Sequence, residues 1–361
     1  LGNAHKELIA LNKILKVPVT NTLMGLGSYP ANNKHFMGML GMHGTYQANM
    51  AMHNADLIIA IGARFDDRIT NTPSLFSPKA RIIHIDVDPA SISKIINADI
   101  PIVGQVKESL NALIKEIKRS KLKIDSDAID SWNSQIATWR AKHGLDHELY
   151  LKKTKSKMIL PQVVVQELYQ ATNGNAWVTS DVGQHQMFVA QYYHFNKPRR
   201  WINSGGLGTM GFGLPAAMGA KLAYPKDEVV CVTGEGSIQM CIQELSTCLQ
   251  YNLPIKIINI NNEALGMVRQ WQDMNYGGRH SASTYADSLP DFVKLAESYG
   301  HVGMKVTKQS QLRKTLDKAF AMKDRLVFVD VYVDPNEHVY PMLVAPSGSM
   351  QDMWIKKNTK A

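Results

Sequence analysis

Residues 229–245, VVCVTGEGSIQMCIQEL, pass from an apolar run into Gly234, Glu235, Gly236 and Ser237, then resume with helical spacing. Ile238, Cys241, Ile242, Leu245, Cys248 and Leu249 share one helical face, so Ser237 is expected to cap a helix whose free amides point at the end of a buried strand. A helix N-terminus at the carboxyl edge of an open α/β sheet suits a phosphate group. The next apolar run, IKIINI, ends in Asn261 and Asn262. If the two strands are neighbours, a carboxylate and an amide oxygen reach one crevice, and with diphosphate oxygens they form a hard oxygen set suited to Mg²⁺. Taken alone, glycines around a polar residue make only a tight turn. No GxxxxGK[ST] sequence is present, which excludes the nucleotide-binding loop of an NTPase.

Two further stretches of the same half carry polar residues at strand ends. DVGQHQM (181–187) follows the strand AWVTS, and GGLGTMGFGLPAAMGA (205–220) leads into a helix. A single His at a strand end is more often structural, and a glycine-rich segment serves equally as a flexible turn. In the first half GARFDDRIT (62–70) follows another apolar run and carries four charges, as a solvated loop would.

The elements that must position these residues alternate throughout. A helix is expected over 4–16, a strand in VPVTNT, a helix in TYQANMAMHNA, and strands over 56–62 and 81–88. A helix at about 106–118 follows, and the polar stretch after it is expected to be a linker with a helix around SWNSQIATWRAKHG. The second half repeats the pattern: helices 161–172, 213–223, 237–250, 289–299 and 309–322, with strands 176–182, 228–233, 255–260 and 326–333. Short apolar runs between helical patterns imply parallel sheets covered on both faces. The fold class is α/β, with two consecutive doubly wound parallel-sheet domains: residues 1–118, a linker at 119–158, and residues 159–361.

Bulk properties narrow the function classes. The 361 residues carry a formal charge of +9, with 45% hydrophobic and 20% charged residues. Their basic clusters, KRSKLK, KKTKSK and KPRR, lack interleaved aromatics and read as solvated surface, not nucleic-acid contacts. No apolar run is long enough for a membrane span. Cys231, Cys241 and Cys248 are odd in number and sit at core positions, which argues for a reducing, cytoplasmic setting.

The turn at 234–237 followed by Asn261-Asn262 resembles the fingerprint of the thiamine diphosphate enzymes. That resemblance implies Mg²⁺ held by Glu235, Asn262 and the backbone oxygen of Ala264. It also implies cofactor contacts from Gly183, Gln184, His185, Gly234, Gly236, Ser237, Gly266 and Met267. Met210 would hold the cofactor bent and the Gly208 backbone would accept from its aminopyrimidine, bringing an internal base to the reacting carbon.

TLMG (22–25), LGMHG (40–44), GARFDDRIT and HIDVDP (84–89) together resemble the flavin domain of the acetolactate synthase (acetohydroxyacid synthase) family. An FAD site is thereby implied along Thr22, Leu23, Met24, Leu40, Gly41, Met42, His43, Gly62, Ala63, Arg64, Asp66 and Arg68. Asp86 and Val87 would lie at the adenosine end, followed by Gly104 and Gln105. Arg68 and Trp271 are implied to select the second ketoacid, and HVYPMLVAPSGSMQDMW (338–354) resembles a tail that covers the active site.

The implied reaction is decarboxylation of pyruvate and carboligation to a second pyruvate or 2-ketobutyrate, within a homodimer or larger homo-oligomer assisted by a regulatory small subunit. Rival readings are a pyruvate oxidase, a glyoxylate carboligase, or a cofactor-binding subunit without activity. Two departures accompany the resemblance: Glu235 replaces the usual Asp, and Gln105 replaces an acid. The chain opens on a helical pattern without an initiator Met, so an upstream pyrimidine-binding domain carrying the catalytic glutamate is expected outside this sequence. The 361 residues alone are then expected to be inactive.

Overall fold

The computed structural model describes residues 2–145, 156–285, 288–344 and 348–356. Two compact units divide it. The first comprises Leu1–Asp146, Asn196–Pro198 and Tyr340–Ala361; the second comprises His147–Phe195 and Arg199–Val339.

In the first unit β1 (Val19–Asn21) pairs parallel with β2 (Phe36–Met39). Strands β3 (Leu57–Ile61), β4 (Arg81–Asp86) and β5 (Ile100–Val103) form a three-stranded parallel sheet in that order. Ile59, Ile61, Ile83 and Ile102 pack with Leu11 of the helix His5–Leu15 and Leu110 of the helix Val106–Arg119, which cover one face. Their spacing supplies the apolar stripe each helix needs.

The expected linker region belongs partly to this unit. Its helix, Ser126–His143, is capped by the Asp125 carboxylate accepting from Ala128 N at 3.0 Å. Trp132, Ile136 and Trp139 fall on one face of that helix and pack with Met37, Leu40, Ala48 and Ala51, so apolar side chains within a polar stretch anchor it to the first unit.

The second unit holds a six-stranded parallel sheet, built from β6 (Trp177–Ser180), β7 (Trp201–Asn203), β8 (Val229–Thr233), β9 (Lys256–Asn261), β10 (Val302–Val306) and β11 (Val327–Tyr332). The order is β10-β11-β9-β8-β6-β7. After β6 the chain moves outward to β7 and then returns to the other side of β6 for β8. The order therefore reverses between β6 and β8, and ligands of doubly wound sheets bind beyond the carboxyl ends of strands at such a point. Central strands β8 and β9 are buried over their whole lengths. Strand β8 is apolar up to Thr233, and β9 joins Ile257, Ile258 and Ile260 to buried Lys256, Asn259 and Asn261, whose side-chain nitrogens all donate hydrogen bonds.

The expected helix 237–250 is instead two pieces, Glu235–Ile238 and Glu244–Gln250. Ile238, Cys241, Leu245 and Cys248 are buried along the expected face, whereas Leu249 is half exposed. Pairing irregular in period is the reason: the turn bonds Met240 N to Ser237 O and Cys241 N to Ile238 O tighten the chain between the pieces.

The tail expected with the second domain clusters with the first unit. Its strands β12 (Met342–Leu343) and β13 (Met353–Trp354) pair antiparallel, and Leu343 N donates to Met42 O at 2.8 Å. Buried Leu343 and Met350 pack with Ile58, Phe65 and Phe76, which gives the tail an apolar anchor. Tail residues 345–347 and most of KKTKSK lie outside the described residues.

Candidate cofactor site

The carboxyl ends of β6, β8 and β9 bring the polar residues of the second unit together. Strand β8 ends at Thr233, and Gly234 precedes the short helix in an extended conformation. The first intrahelical bond runs from Ile238 N to Gly234 O, so the amides of Glu235, Gly236 and Ser237 have no acceptor within the turn. Ser237 is not the cap expected of it. It lies inside the turn, where its hydroxyl donates to Val182 O at 3.2 Å.

Glu235 is 1% exposed, and its Oε1 accepts from Ala264 N at 2.7 Å. The Asn262 side-chain oxygen accepts from the same amide at 3.3 Å. Glu263 between them adopts φ +58, a left-handed conformation that costs a non-glycine residue about 1 kcal/mol and folds the chain back so that both oxygens meet one donor. Ala264 also forms an antiparallel bridge with Thr284 in which Leu265 N donates to Ser283 O and Tyr285 N to Glu263 O. Those bonds belong to the flanking residues, leaving Ala264's own N–H and carbonyl off the bridge.

Burial pushes the Glu235 carboxyl up to about 8; the amides of Glu235, Ala264 and Asn262 oppose the shift and Asp330 adds to it. A carboxyl in that condition is a poor resident anion and a good ligand for a cation.

Of the expected asparagine pair, only Asn262 turns this way. Asn261 Nδ2 donates at 3.1 Å to the buried Asp330, which also accepts from Asn259. Asn262 Nδ2 donates to Gln184 Oε1 at 2.9 Å, and Gln184 Nε2 donates to Gln270 Oε1 at 2.8 Å. Gln270 in turn brackets the Val339 backbone, accepting from its N–H at 2.9 Å and donating to its carbonyl at 3.0 Å. Gln184 and Gln270 come from the helices Gln184–Tyr192 and Gly266–Asn275, so one amide chain fixes both helix starts around Asn262.

His185 Nε2 lies 2.7 Å from Asp181 Oδ1, and Asp181 is fully buried. The Thr233 hydroxyl reaches both Asp181 oxygens, at 3.2 and 3.0 Å. A carboxylate only accepts, so the dyad places the His185 proton on Nε2. The other ring nitrogen faces the turn: a side-chain carbon at Gly234 would sit 2.8 Å from Nδ1.

A side-chain carbon at Gly183, Gly234, Gly236 or Gly266 would displace a side chain of the site itself. A carbon at Gly183 would strike the His185 ring at 2.6 Å, one at Gly236 the Tyr285 hydroxyl, and one at Gly266 Asn262 Nδ2 at 2.5 Å. Met267, in the first turn of its helix, is half-buried, as is Trp271 one turn further. Around Gly208 there is open space on a left-handed backbone, φ +70, held by Gly208 N and Thr209 N donating to Ser204. Met210 next to it is half-buried.

In the first unit the residues of interest also collect at carboxyl ends. Thr22, Leu23 and Met24 follow β1, with the Thr22 hydroxyl accepting from Gly25 N at 3.1 Å. Leu40, Gly41, Met42 and His43 follow β2. Asn49 brackets Gly41 with two bonds of 2.9 Å, and Met42 N donates to Arg68 O at 2.8 Å. Burial, followed by the nearby Arg68 charge, lowers His43 to about 4 and keeps it neutral. Gly62, Asp86 and Gly104 stand in line across β3, β4 and β5, joined by Gly62 N to Ile85 O and Gly104 N to Asp86 O. Beyond them Arg64 pairs with Asp66 at 3.3 Å, with Ala63 between β3 and that pair. Val87 is exposed, and Gln105 precedes the helix Val106–Arg119 without a side-chain cap.

Asp181, Gln270 and Glu263 carry no role in the sequence reading. The four-residue spacing of Asp181 and His185 was visible; the left-handed Glu263 and the Gln184–Gln270 pairing have no local signal.

The chain's similarities agree with this geometry. Residues 181–331 match the thiamine pyrophosphate enzyme C-terminal TPP binding domain, and residues 1–113 match the thiamine pyrophosphate enzyme central domain. The acetolactate synthase isozyme 3 large subunit of Escherichia coli is 54% identical across 99% of this chain and 62% of the relative. Acetolactate synthase large subunits of Buchnera aphidicola (subsp. Schizaphis graminum) and Haemophilus influenzae are 55% and 54% identical, each across 99% of this chain and 61% of the relative. The chain thus spans under two thirds of the length of these relatives. Identity sustained through both units, together with the strand-end residues that meet around Glu235, shows that the chain belongs to the thiamine pyrophosphate enzymes and is homologous to acetolactate synthase large subunits.

Proposed function

We propose that these two units act in an acetolactate synthase, joining the carbons of pyruvate, once decarboxylated, to a second pyruvate or to 2-ketobutyrate. The observation that carries the reading is the meeting of Glu235 and Asn262 oxygens at the Ala264 amide, beyond the strands where the sheet order reverses.

The donor set fits a magnesium diphosphate. Glu235, Asn262 and the off-bridge Ala264 carbonyl are hard oxygens, and Mg²⁺ takes such ligands together with phosphate oxygens. Free first-turn amides at Gly236 and Ser237 suit the diphosphate. Glycines 234 and 236 let the backbone approach it, since neither has room for a side chain. Bound thiamine diphosphate supplies an acidic thiazolium carbon and an electron sink for decarboxylation. Met210, Gly208 and Met267 are assigned to orient its rings, and Gly183, Gln184 and His185 to its diphosphate end. Arg68 offers a guanidinium fork to the acceptor's carboxylate, and Trp271 a broad apolar face to its side chain.

FAD is assigned to the first unit. Its carboxyl-end line of Gly62, Asp86 and Gly104 is the arrangement in which an acid at a strand terminus accepts from ribose and a helix start meets diphosphate. The reaction needs no net electron transfer, so the flavin's role is architectural. Partners in the reading are pyruvate, 2-ketobutyrate, a second large subunit and a regulatory small subunit, in the cytoplasm. Among the described residues no helix is long and apolar enough to cross a membrane.

The test is product analysis on the intact enzyme supplied with pyruvate, thiamine diphosphate, Mg²⁺ and FAD. Acetolactate that disappears in Glu235→Ala supports the reading. Acetyl phosphate with peroxide, or tartronate semialdehyde from glyoxylate, would replace it with an oxidase or a glyoxylate carboligase.

A further inference from the structure

The first unit contains a cleft of about 650 Å³ that no role above uses. Its walls are the end of the helix His5–Leu15, the loop entering β2 and the stripe Asp130, Asn133, Ala137 and Arg140 of the helix Ser126–His143, with the buried Ile136 beside it. Pro18 and His35 immediately precede β1 and β2, so the cleft lies at the amino edge of that sheet, whereas the residues assigned to FAD follow the carboxyl ends.

Lys13, Lys16, Lys34 and Arg140 line the cleft against a single carboxylate, Asp130. Among the described residues none of these four cations forms an ion pair. Arg140 donates one N–H to Phe36 O at 2.5 Å, which fixes the guanidinium at the rim with its remaining donors unspent on carboxylates. Burial lowers the Arg140 pKa, so its charge is held at a desolvation cost. His35 is set by the buried Asn12: Asn12 Oδ1 accepts from the Tyr29 hydroxyl at 2.7 Å and lies 3.0 Å from His35 Nδ1. An amide oxygen can only accept, so the proton of this bond sits on Nδ1 and Nε2 is the ring's remaining acceptor. Burial and then Lys34 and Lys16 lower the His35 pKa, a repulsion that a bound anion would relieve.

We propose that this cleft binds a small polyvalent anion carrying a phosphate or diphosphate group. Its volume is within the range of small-molecule sites, and convergent cations with fixed amide neighbours are the chemistry that recognises phosphate. A nucleic acid is disfavoured, because among the described residues no Phe, Tyr or Trp lines the cleft, and the His35 ring is the one aromatic group there that could stack a base.

Because the site in the second unit is itself assigned a diphosphate, the readout must be local. Inorganic pyrophosphate is titrated into the chain with ¹³C-labelled histidine, the His35 ring signals being assigned by comparison with His35→Gln. The expected result is saturable movement of the His35 signals at submillimolar to millimolar concentration. In Lys16→Glu/Lys34→Glu, whose side chains are exposed and form no ion pair among the described residues, the midpoint rises by about tenfold or more. Stationary His35 signals, or an unchanged midpoint in the charge-reversed protein, would overturn the proposal. So would a stronger response to single-stranded RNA than to pyrophosphate at equal phosphate concentration.

Discussion

Glu235 and Asn262 share one backbone donor, the Ala264 amide, at 2.7 and 3.3 Å from their respective side-chain oxygens. Two oxygens around one hydrogen leave electron pairs directed into the same space, and burial keeps water from filling that demand cheaply. With Glu235 raised to about 8, Mg²⁺ must displace a proton to bind near neutrality. Mg²⁺ affinity is therefore expected to rise about tenfold per pH unit up to the Glu235 value and level off above it. Calorimetry in two buffers of different ionisation heat should count close to one proton released at pH 7. A count of zero would mean that Glu235 is already ionised.

The same shift carries a sign for stability without cofactor. Glu235 binds its proton more tightly folded than unfolded, so its contribution is present at low pH and is lost as pH rises through the folded value. The window runs from 4.5 to about 8, and Glu337, raised to about 7 by burial, adds to it. Below 6.5 the buried histidines act oppositely, because His43 at about 4 resists protonation. Between pH 6.5 and 8 the melting temperature should fall. Glu235→Gln should remove the larger part of the slope, since Glu235 alone supplies up to about 1.4 kcal/mol per pH unit.

Glu235→Asp separates reach from hydrogen bonding. Shortening by one methylene draws the carboxyl back about 1.5 Å, which costs the Ala264 bond and about 1 kcal/mol of stability. Mg²⁺ should nonetheless bind Asp more tightly, since octahedral geometry at about 2.0 to 2.1 Å constrains where the carboxylate can sit. Equal Mg²⁺ affinities in the two proteins would show that the longer side chain is an adequate ligand.

How far the sequence revealed all this depends on locality. Strands β8 and β9 were legible because VVCV and the isoleucine-rich IKIINI are short runs between helical patterns, and Glu235 and Asn262 because each stands just beyond one. Strand β7 and the helix Gly266–Asn275 were not read: Trp201–Asn203 is three residues long, and the helix carries only Gln270 fully buried. The boundary near 119 misled for the opposite reason. Polar composition hid Trp132, Ile136 and Trp139, whose burial is a tertiary fact. Ser237 looked like a cap because its type fits one; the turn starts earlier, at Gly234, because Glu235 is drawn toward Ala264.

Gly41 offers a test in the first unit. Its φ is +98, and a side-chain carbon there would lie 2.5 Å from Arg68 O, which accepts from Met42 N. Gly41→Ala combines left-handed strain with a backbone collision, so a loss of about 2 kcal/mol or more is expected. Arg68 must shift, and FAD affinity should fall with it. Thermal unfolding and flavin fluorescence read the two effects separately. Retention of both would contradict the geometry of this loop.

The Asp181–His185 dyad should act as one unit. Asp181 is fully buried and spends its carboxylate on His185 Nε2 and the Thr233 hydroxyl. In Asp181→Asn the side chain keeps its shape but loses the charge that selects the Nε2 proton, worth about 1.5 to 3 kcal/mol for a charge-assisted bond. The free Nδ1 then ceases to be defined against Gly234, and thiamine diphosphate affinity should drop about tenfold or more. His185→Gln should produce a drop of similar size. If Asp181 works through His185, the double variant should bind no more weakly than the worse single one, because contacting residues do not contribute additively. Additive losses in that cycle would mean that Asp181 serves the cofactor by another route, through Thr233 or through the packing of Gly213, where a side-chain carbon would lie 3.1 Å from Asp181 Oδ2.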